Sequence, residues 1–162
     1  MSSTETGKVR EVDTKEYIDI LMELVREGKC VNLTIAGGSM SPFLVNQRDL
    51  VCLEPMKREP EKGDIVLFQR PGGEYILHRI CRVGADGYYI VGDAQVEVEG
   101  PVAREQICCI IEKACRKGTW INRTDFWWKF FAGVWIHVIP FRRGLIRLYG
   151  LVNRKGHRES GL

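Results

Sequence analysis

Between positions 17 and 25 the apolar residues Tyr17, Ile20, Leu21, Leu24 and Val25 recur every three or four positions, which predicts an amphipathic helix. Asp13 and Glu16 stand at the spacing of a capping box at its start, and Gly28 predicts its end. From Val31 the period shortens. Apolar, β-rich runs follow at 31–35, 49–53, 64–69, 75–83, 88–91 and 106–112, each bounded by turn residues. Pro71, Gly72 and Gly73, and then Asp86 and Gly87, offer the positive φ angles of tight turns, so hairpins are expected between the third and fourth runs and between the fourth and fifth. The pattern predicts a mainly β fold, a compact antiparallel sheet or barrel-like domain with a short N-terminal helix.

After Gly118 the character changes again. Phe126, Trp127, Trp128, Phe130, Phe131, Val134, Trp135 and Ile136 crowd into a short stretch that His137 and Pro140 interrupt. A helix needs about 20 apolar residues to cross the roughly 30 Å bilayer core, so this stretch is not expected to span a membrane. Beyond Pro140, Leu145, Leu148, Tyr149 and Val152 share one helical face and Arg143, Arg147 and Arg154 another, which predicts a basic amphipathic helix. Three regions result: an N-terminal helical segment over 1–30, a β domain over 31–115, and a basic, aromatic tail over 116–162.

Composition narrows the class. A chain of 162 residues with 44% hydrophobic and 28% charged residues suits one ordinary domain with an appendage and excludes wholesale disorder. The net charge of +3 conceals an asymmetry, because residues 116–162 hold ten Lys or Arg, only Asp125 and Glu159 as acids, and all four Trp. Two readings of the tail follow. Its aromatics and cations suit peripheral contact with an anionic membrane surface through 120–155, or Trp127, Phe130, Phe131 and Val134 fold back and close the β domain. No nucleic-acid reading module accompanies the charge, so nucleic acid is not an expected partner. Cys30, Cys52, Cys81, Cys108, Cys109 and Cys115 form no CxxC pair and no His-partnered spacing, which predicts free thiols and no metal site. The first residues lack a basic stretch followed by an apolar one, and the expected location is cytoplasmic, with any membrane contact at the inner face.

Two residues carry candidate chemistry. Ser39 sits in Gly37-Gly38-Ser39-Met40-Ser41-Pro42 at the end of a predicted strand, where glycines leave a hydroxyl and its neighbouring N–H groups open to a substrate carbonyl. The same tripeptide also occurs as a plain turn. His78 shares the face of Ile76 and Ile80 by alternation. Aliphatic neighbours keep an imidazole neutral, as a general base requires, and they equally suit a core histidine.

Five ordered segments give a resemblance more specific than either residue. They are Gly37-Gly38-Ser39-Met40-Ser41-Pro42, Arg48-Asp49-Leu50-Val51, Lys62-Gly63-Asp64-Ile65-Val66-Leu67-Phe68, Leu77-His78-Arg79-Ile80 and Val91-Gly92-Asp93. In order and spacing this set resembles the motif boxes of type I signal peptidases and LexA-type self-cleaving peptidases over about residues 31–112. The resemblance implies that Ser39 is the nucleophile. A histidine followed by Arg, rather than a lysine base, is similar to the archaeal and endoplasmic-reticulum branch and gives His78 the role of base. It further implies Asp93 as the acidic third member, with Glu99 a looser match. Asn pairs of that branch are replaced here by Ala94-Gln95, and Gly37 stands where many relatives carry a serine that adds an oxyanion donor. The implied activity is a serine endopeptidase that takes an extended peptide as an added strand, without a cofactor. The rival expectation is a catalytically weak peptide-binding or membrane-surface adaptor on the same scaffold.

Overall fold

The computed structural model describes residues 14–148. Helix α1 runs over Thr14–Arg26. Gly28, at φ +87°, closes it: the Gly28 N–H donates to the Val25 carbonyl and the Lys29 N–H to the Leu24 carbonyl. Asp13, the expected cap, lies outside the described residues. The buried stripe is Ile18, Leu21, Met22 and Val25, one step round from the predicted one. Tyr17 and Ile20 stay exposed, and Tyr17 lines the rim of a cavity.

Nine strands form two antiparallel sheets. The first has the order β1-β2-β8-β9, with β1 at Val31–Thr34, β2 at Leu50–Leu53, β8 at Lys113–Arg116 and β9 at Thr119–Asn122. The second has the order β6-β5-β4-β3-β7, with β3 at Ile65–Gln69, β4 at Tyr75–Gly84, β5 at Gly87–Val91, β6 at Glu99–Val102 and β7 at Ile107–Ile111. The fold is mainly β, as predicted, and both expected hairpins are present as β3–β4 and β4–β5. One core joins α1, the first sheet and one face of β3 and β7; a second gathers Val66, Phe68, Ile80, Ile90, Val102, Ile107 and Ile110 from all five strands of the other sheet. Full burial of side chains such as Phe43, Phe68 and Ile80 stabilises by roughly 1.5–3 kcal/mol each.

The cysteines correct one expectation. Cys30 and Cys52 are joined by a disulfide, with Cα atoms 6.3 Å apart, while Cys81, Cys108, Cys109 and Cys115 remain thiols. Cys30 immediately precedes β1, and Cys52 faces Asn32 across the β1–β2 ladder, so the pairing comes from register rather than from sequence spacing. Such bonds are commonest in oxidising compartments, and the expectation of free thiols throughout fails at this pair.

Beyond β9 the chain continues the same body. Helix α2 spans Phe126–Gly133, a 3-10 segment spans Trp135–Phe141, and residues 142–148 are helical. Trp128 and Phe131 enter the first core against Phe43. On the opposite side Phe126 and Trp127 are exposed, as are Val134, Phe141, Leu145 and Leu148. The tail therefore closes the domain through Trp128 and Phe131, with Phe130 packed against them, while Trp127 and Val134, expected to fold back with Phe130 and Phe131, stay exposed. Tyr149, Val152 and Arg154 of the predicted amphipathic helix lie outside the described residues. No helix among the described residues is long and apolar enough to cross a membrane.

Candidate active site

The segment after β1 is shaped by its base and by its buried side chains. Ile35 closes the base, its N–H donating to the Asp49 carbonyl and its carbonyl accepting from the Gln47 N–H. Gly37, at φ +80°, donates its N–H to Asn46 Oδ1. A helical turn follows, in which the Ser41 N–H reaches the Gly38 carbonyl and the Leu44 N–H the Met40 carbonyl. Met40, Phe43 and Leu44 are buried, and their three- and four-residue spacing anchors one face of that turn in the core. Ser39, one position before Met40, is left half-buried at the start of the turn. Among the described residues its N–H meets no backbone carbonyl.

The Val91-Gly92-Asp93 segment buttresses this turn. The Ser39 carbonyl accepts the Ala94 N–H at 2.8 Å, and a Cβ on Gly92 would fall 2.6 Å from the same carbonyl oxygen. That is closer than real Cβ atoms approach, so glycine at 92 is a requirement of the backbone behind Ser39.

His78 lies on β4 opposite Val66 and is 5% exposed. Its face carries Ile76 and Ile80, as alternation predicts, and the Phe68 ring centre is 6.4 Å from its own. Burial pushes its pKa down to about 4; the Glu99 and Asp93 carboxylates pull upward, and the Arg70 guanidinium adds to the lowering. Nδ1 is buried with no hydrogen-bond partner.

Ser39 and His78 line one cavity of about 360 Å³, bounded by Tyr17 and Ile18 of α1, by Leu33 to Ala36 at the end of β1, and by Leu67, Ile76 and Leu77. Arg70 and Gln95 supply its other polar walls. Arg70, directly after β3, was not singled out from the sequence, and Gln95 entered there only as a departure from the Asn pair; the folded wall brings both to the cavity. Among the described residues strand β1 is the edge of its sheet, and no described strand pairs with its outer side where it runs into the Ser39 turn.

The acidic groups are held elsewhere. Asp93 is fully buried, and its two oxygens accept from Arg79 Nε at 2.9 Å and Nη2 at 2.8 Å. Arg79, itself fully buried, also donates to the Gly63 carbonyl and lies 5.1 Å from the Phe43 ring centre. Glu99 is bound in the same two-pronged way by Arg70, at 2.8 and 2.7 Å, which holds its pKa below the usual carboxylate range. Both carboxylates act on His78 through space, and Glu99 is the stronger influence. Asp49 and Asp64, in the second and third of the five ordered segments, act as local caps and accept the Val45 and Glu61 N–H groups respectively.

The tail grips the same turn from behind. Buried Arg142 donates to the carbonyls of Gly92, Gln95 and Trp135, and Trp135 Nε1 donates to the Asp93 carbonyl.

Compared with known proteins, the sequence matches the family profile described as Peptidase S24-like over residues 3–106. No curated protein and no solved structure gives a match. The matched span holds α1, the Ser39 turn, the β3–β4 and β4–β5 hairpins and the Gly-Asp box, which is more than half of the chain. The hydroxyl and imidazole on one cavity, beside the edge strand β1, thus belong to a recognised peptidase scaffold, and the chain is a member of the Peptidase S24-like family.

Proposed function

We propose that the protein is a serine endopeptidase of signal-peptidase type in the histidine-base branch, cutting an extended peptide or leader segment. The observation that carries this reading is the shared cavity of Ser39 and His78 beside the edge strand β1. A peptide added along that edge gains main-chain hydrogen bonds, and its carbonyl is led toward Ser39. His78 takes the proton from the Ser39 hydroxyl, Oγ forms an ester with the carbonyl carbon, the amine leaves with that proton, and water then hydrolyses the ester. The Ser39 N–H is one donor to the oxyanion. Gly37 supplies no hydroxyl, and the Gln95 carboxamide on the same wall is the polar group placed to assist. Asp93 supports the site through Arg79 and the Gly92 turn, and Glu99 is the carboxylate with the larger electrostatic hold on His78.

The low pKa of His78 has a readable sign. Its neutral form is the base, so kcat/KM is expected to rise with pH through an inflection near 4, well below the usual histidine value of about 6.5, and to be level across neutral pH. Rates on a peptide substrate from about pH 4 to about pH 8 check this, and an acid limb centred at the ordinary histidine value would show that His78 is not the desolvated base. Stability follows the same group. The unfolded chain binds a proton below about pH 6.5 that the folded chain refuses until about 4, so stability is lost as pH falls through that window, and His78→Gln flattens the loss.

Trapping with a serine-directed fluorophosphonate tests the activity: a covalent adduct mapped to Ser39 supports the peptidase. A second reading has its own support, since His78 Nδ1 has no acid on it and one oxyanion donor is missing. It makes the protein a peptide-binding adaptor, and peptide binding without an adduct favours it.

The outward aromatic face of the tail supports peripheral attachment to an anionic membrane surface. Replacing Phe126, Trp127 and Phe141 together by serine is expected to cut co-sedimentation with phosphatidylglycerol vesicles about tenfold or more. Equal pelleting of variant and wild type removes that attachment.

A further inference from the structure

Most sequestered cations of this protein have obvious partners. Arg79 is paired with Asp93, Arg58 with Asp64, and Arg142 with three carbonyls. Arg116, half-buried at the end of β8, differs. Its Nε, like that of Arg142, is buried without a hydrogen-bond partner, but among the described residues its guanidinium also has no carbonyl or carboxylate bonded to it, and its carbon sits 4.8 Å from the centre of the Phe43 ring. The neighbouring acid, Asp49, is already engaged by the Arg48 guanidinium and by the N–H groups of Val45 and Lys117. Burial pushes the Arg116 pKa down, against the upward pull of the Asp49 carboxylate, whose oxygens are bonded to other groups.

Two apolar hollows meet at this guanidinium. One, of about 440 Å³, runs between the Ser41-Pro42 turn and the tail and is walled by Val45, Phe130, Trp135 and Ile146. The other, of about 480 Å³, extends toward Ile121 and Trp127. Both include Pro42, Arg116, Lys117 and Phe131. Each is of the size that holds a small ligand.

From this arrangement we infer a binding site for a single-chain anionic amphiphile, a long-chain carboxylate whose head pairs with Arg116 beside Lys117 and whose alkyl chain fills the hollow between the Ser41-Pro42 turn and the tail. A guanidinium binds a carboxylate in a two-pronged, charge-assisted way, and the pairing supplies the bonded carboxylate that this guanidinium lacks among the described residues. An alkyl chain needs no hydrogen bonds from the wall. The site is separate from the Ser39 cavity, and its test does not depend on peptidase activity.

Titration of the full chain with dodecanoate below its micelle concentration, followed by calorimetry and by Trp135 fluorescence, tests the inference. Saturable binding of one molecule per chain is expected, weakening about fourfold for each methylene removed from the probe. Arg116→Gln is expected to lose about tenfold or more in affinity with an unchanged melting temperature, and Ile146→Trp, which fills the hollow while leaving the charge, to lose a similar amount. Dodecyltrimethylammonium, with the same chain and the opposite charge, is expected not to bind. Equal binding of the two detergents, or undiminished dodecanoate affinity in both variants, overturns the site. So does binding to anionic vesicles without binding of monomeric dodecanoate, which would assign Arg116 to the membrane surface; an acidic peptide that binds where dodecanoate does not would assign it to a protein partner. If Arg116→Gln fails to fold, Ile146→Trp and the detergent pair decide the question.

Discussion

Ser39→Ala is expected to lower kcat/KM on a peptide substrate by a factor on the order of 10⁴ to 10⁶ and to abolish covalent trapping, while leaving the fold intact. The magnitude follows from the way a nucleophile and its base act as one unit: removing either forfeits nearly the whole acyl-transfer route. His78→Ala should therefore cost a similar factor, and the double variant little more than either alone. Stability is expected to change by less than about 0.5 kcal/mol in Ser39→Ala, because the turn is held by buried Met40, Phe43 and Leu44 and by the Ala94 N–H on the Ser39 carbonyl rather than by the hydroxyl. Steady-state rates, mass spectrometry of the trapped protein and urea denaturation give the three readouts together. Undiminished cleavage by Ser39→Ala would end the assignment. Multiplicative losses in the double variant would mean that Ser39 and His78 work independently.

The second large effect concerns stability. Asp93→Ala leaves the Arg79 guanidinium fully buried beside Phe43 with only the Gly63 carbonyl for company, and breaking a buried pair from one side costs about 3–5 kcal/mol. Urea midpoints measure the loss. Replacing both partners by Leu and Met should recover most of it, since a buried ion pair is often no better than apolar side chains of similar volume. A loss below about 1 kcal/mol in Asp93→Ala would show that water reaches the pair. Asp93→Asn separates structure from chemistry. If the folded variant keeps wild-type rates and the same pH profile, Asp93 serves the scaffold alone. A shifted acid limb would give it a part in setting the basicity of His78.

The helix and the six apolar runs were legible because their periods are long enough to count and glycine or proline marks their ends. Strands β6, β8 and β9 were not. β6 contains Gly100 and Pro101 in four residues, and β8 and β9 are short runs of mixed polarity. Lys117 and Gly118, both at positive φ, form the two-residue turn that joins β8 to β9. That signal was present in the sequence, yet Gly118 reads there as the start of the tail. Pairing of β8 with β2 spans some sixty residues, and no local pattern encodes it; the Cys30–Cys52 bond was hidden for the same reason. For the candidate site, steric cover and alternation singled out Ser39 and His78, the resemblance alone gave them roles, and the structure puts both on one cavity. Arg70 and Gln95 could not be read in this way, because they become neighbours of the cavity only when the hairpin and the Gly-Asp turn converge. The acids show the limit most clearly: the sequence offers Asp93 and Glu99 with equal chemistry, and only geometry reveals that an arginine already occupies each.

Arg142 sets a boundary that neither the family match nor the composition marks. The match ends at residue 106 and the compositional change falls near 118, yet three carbonyls of the Gly92–Gln95 turn and the 3-10 segment are satisfied by a guanidinium at 142. The packed body that contains the Ser39 turn therefore extends to that arginine. A fragment trimmed to the matched region would strip the Arg142 and Trp135 donors from the backbone carbonyls behind Ser39, and a lack of activity in it would say nothing about the full chain.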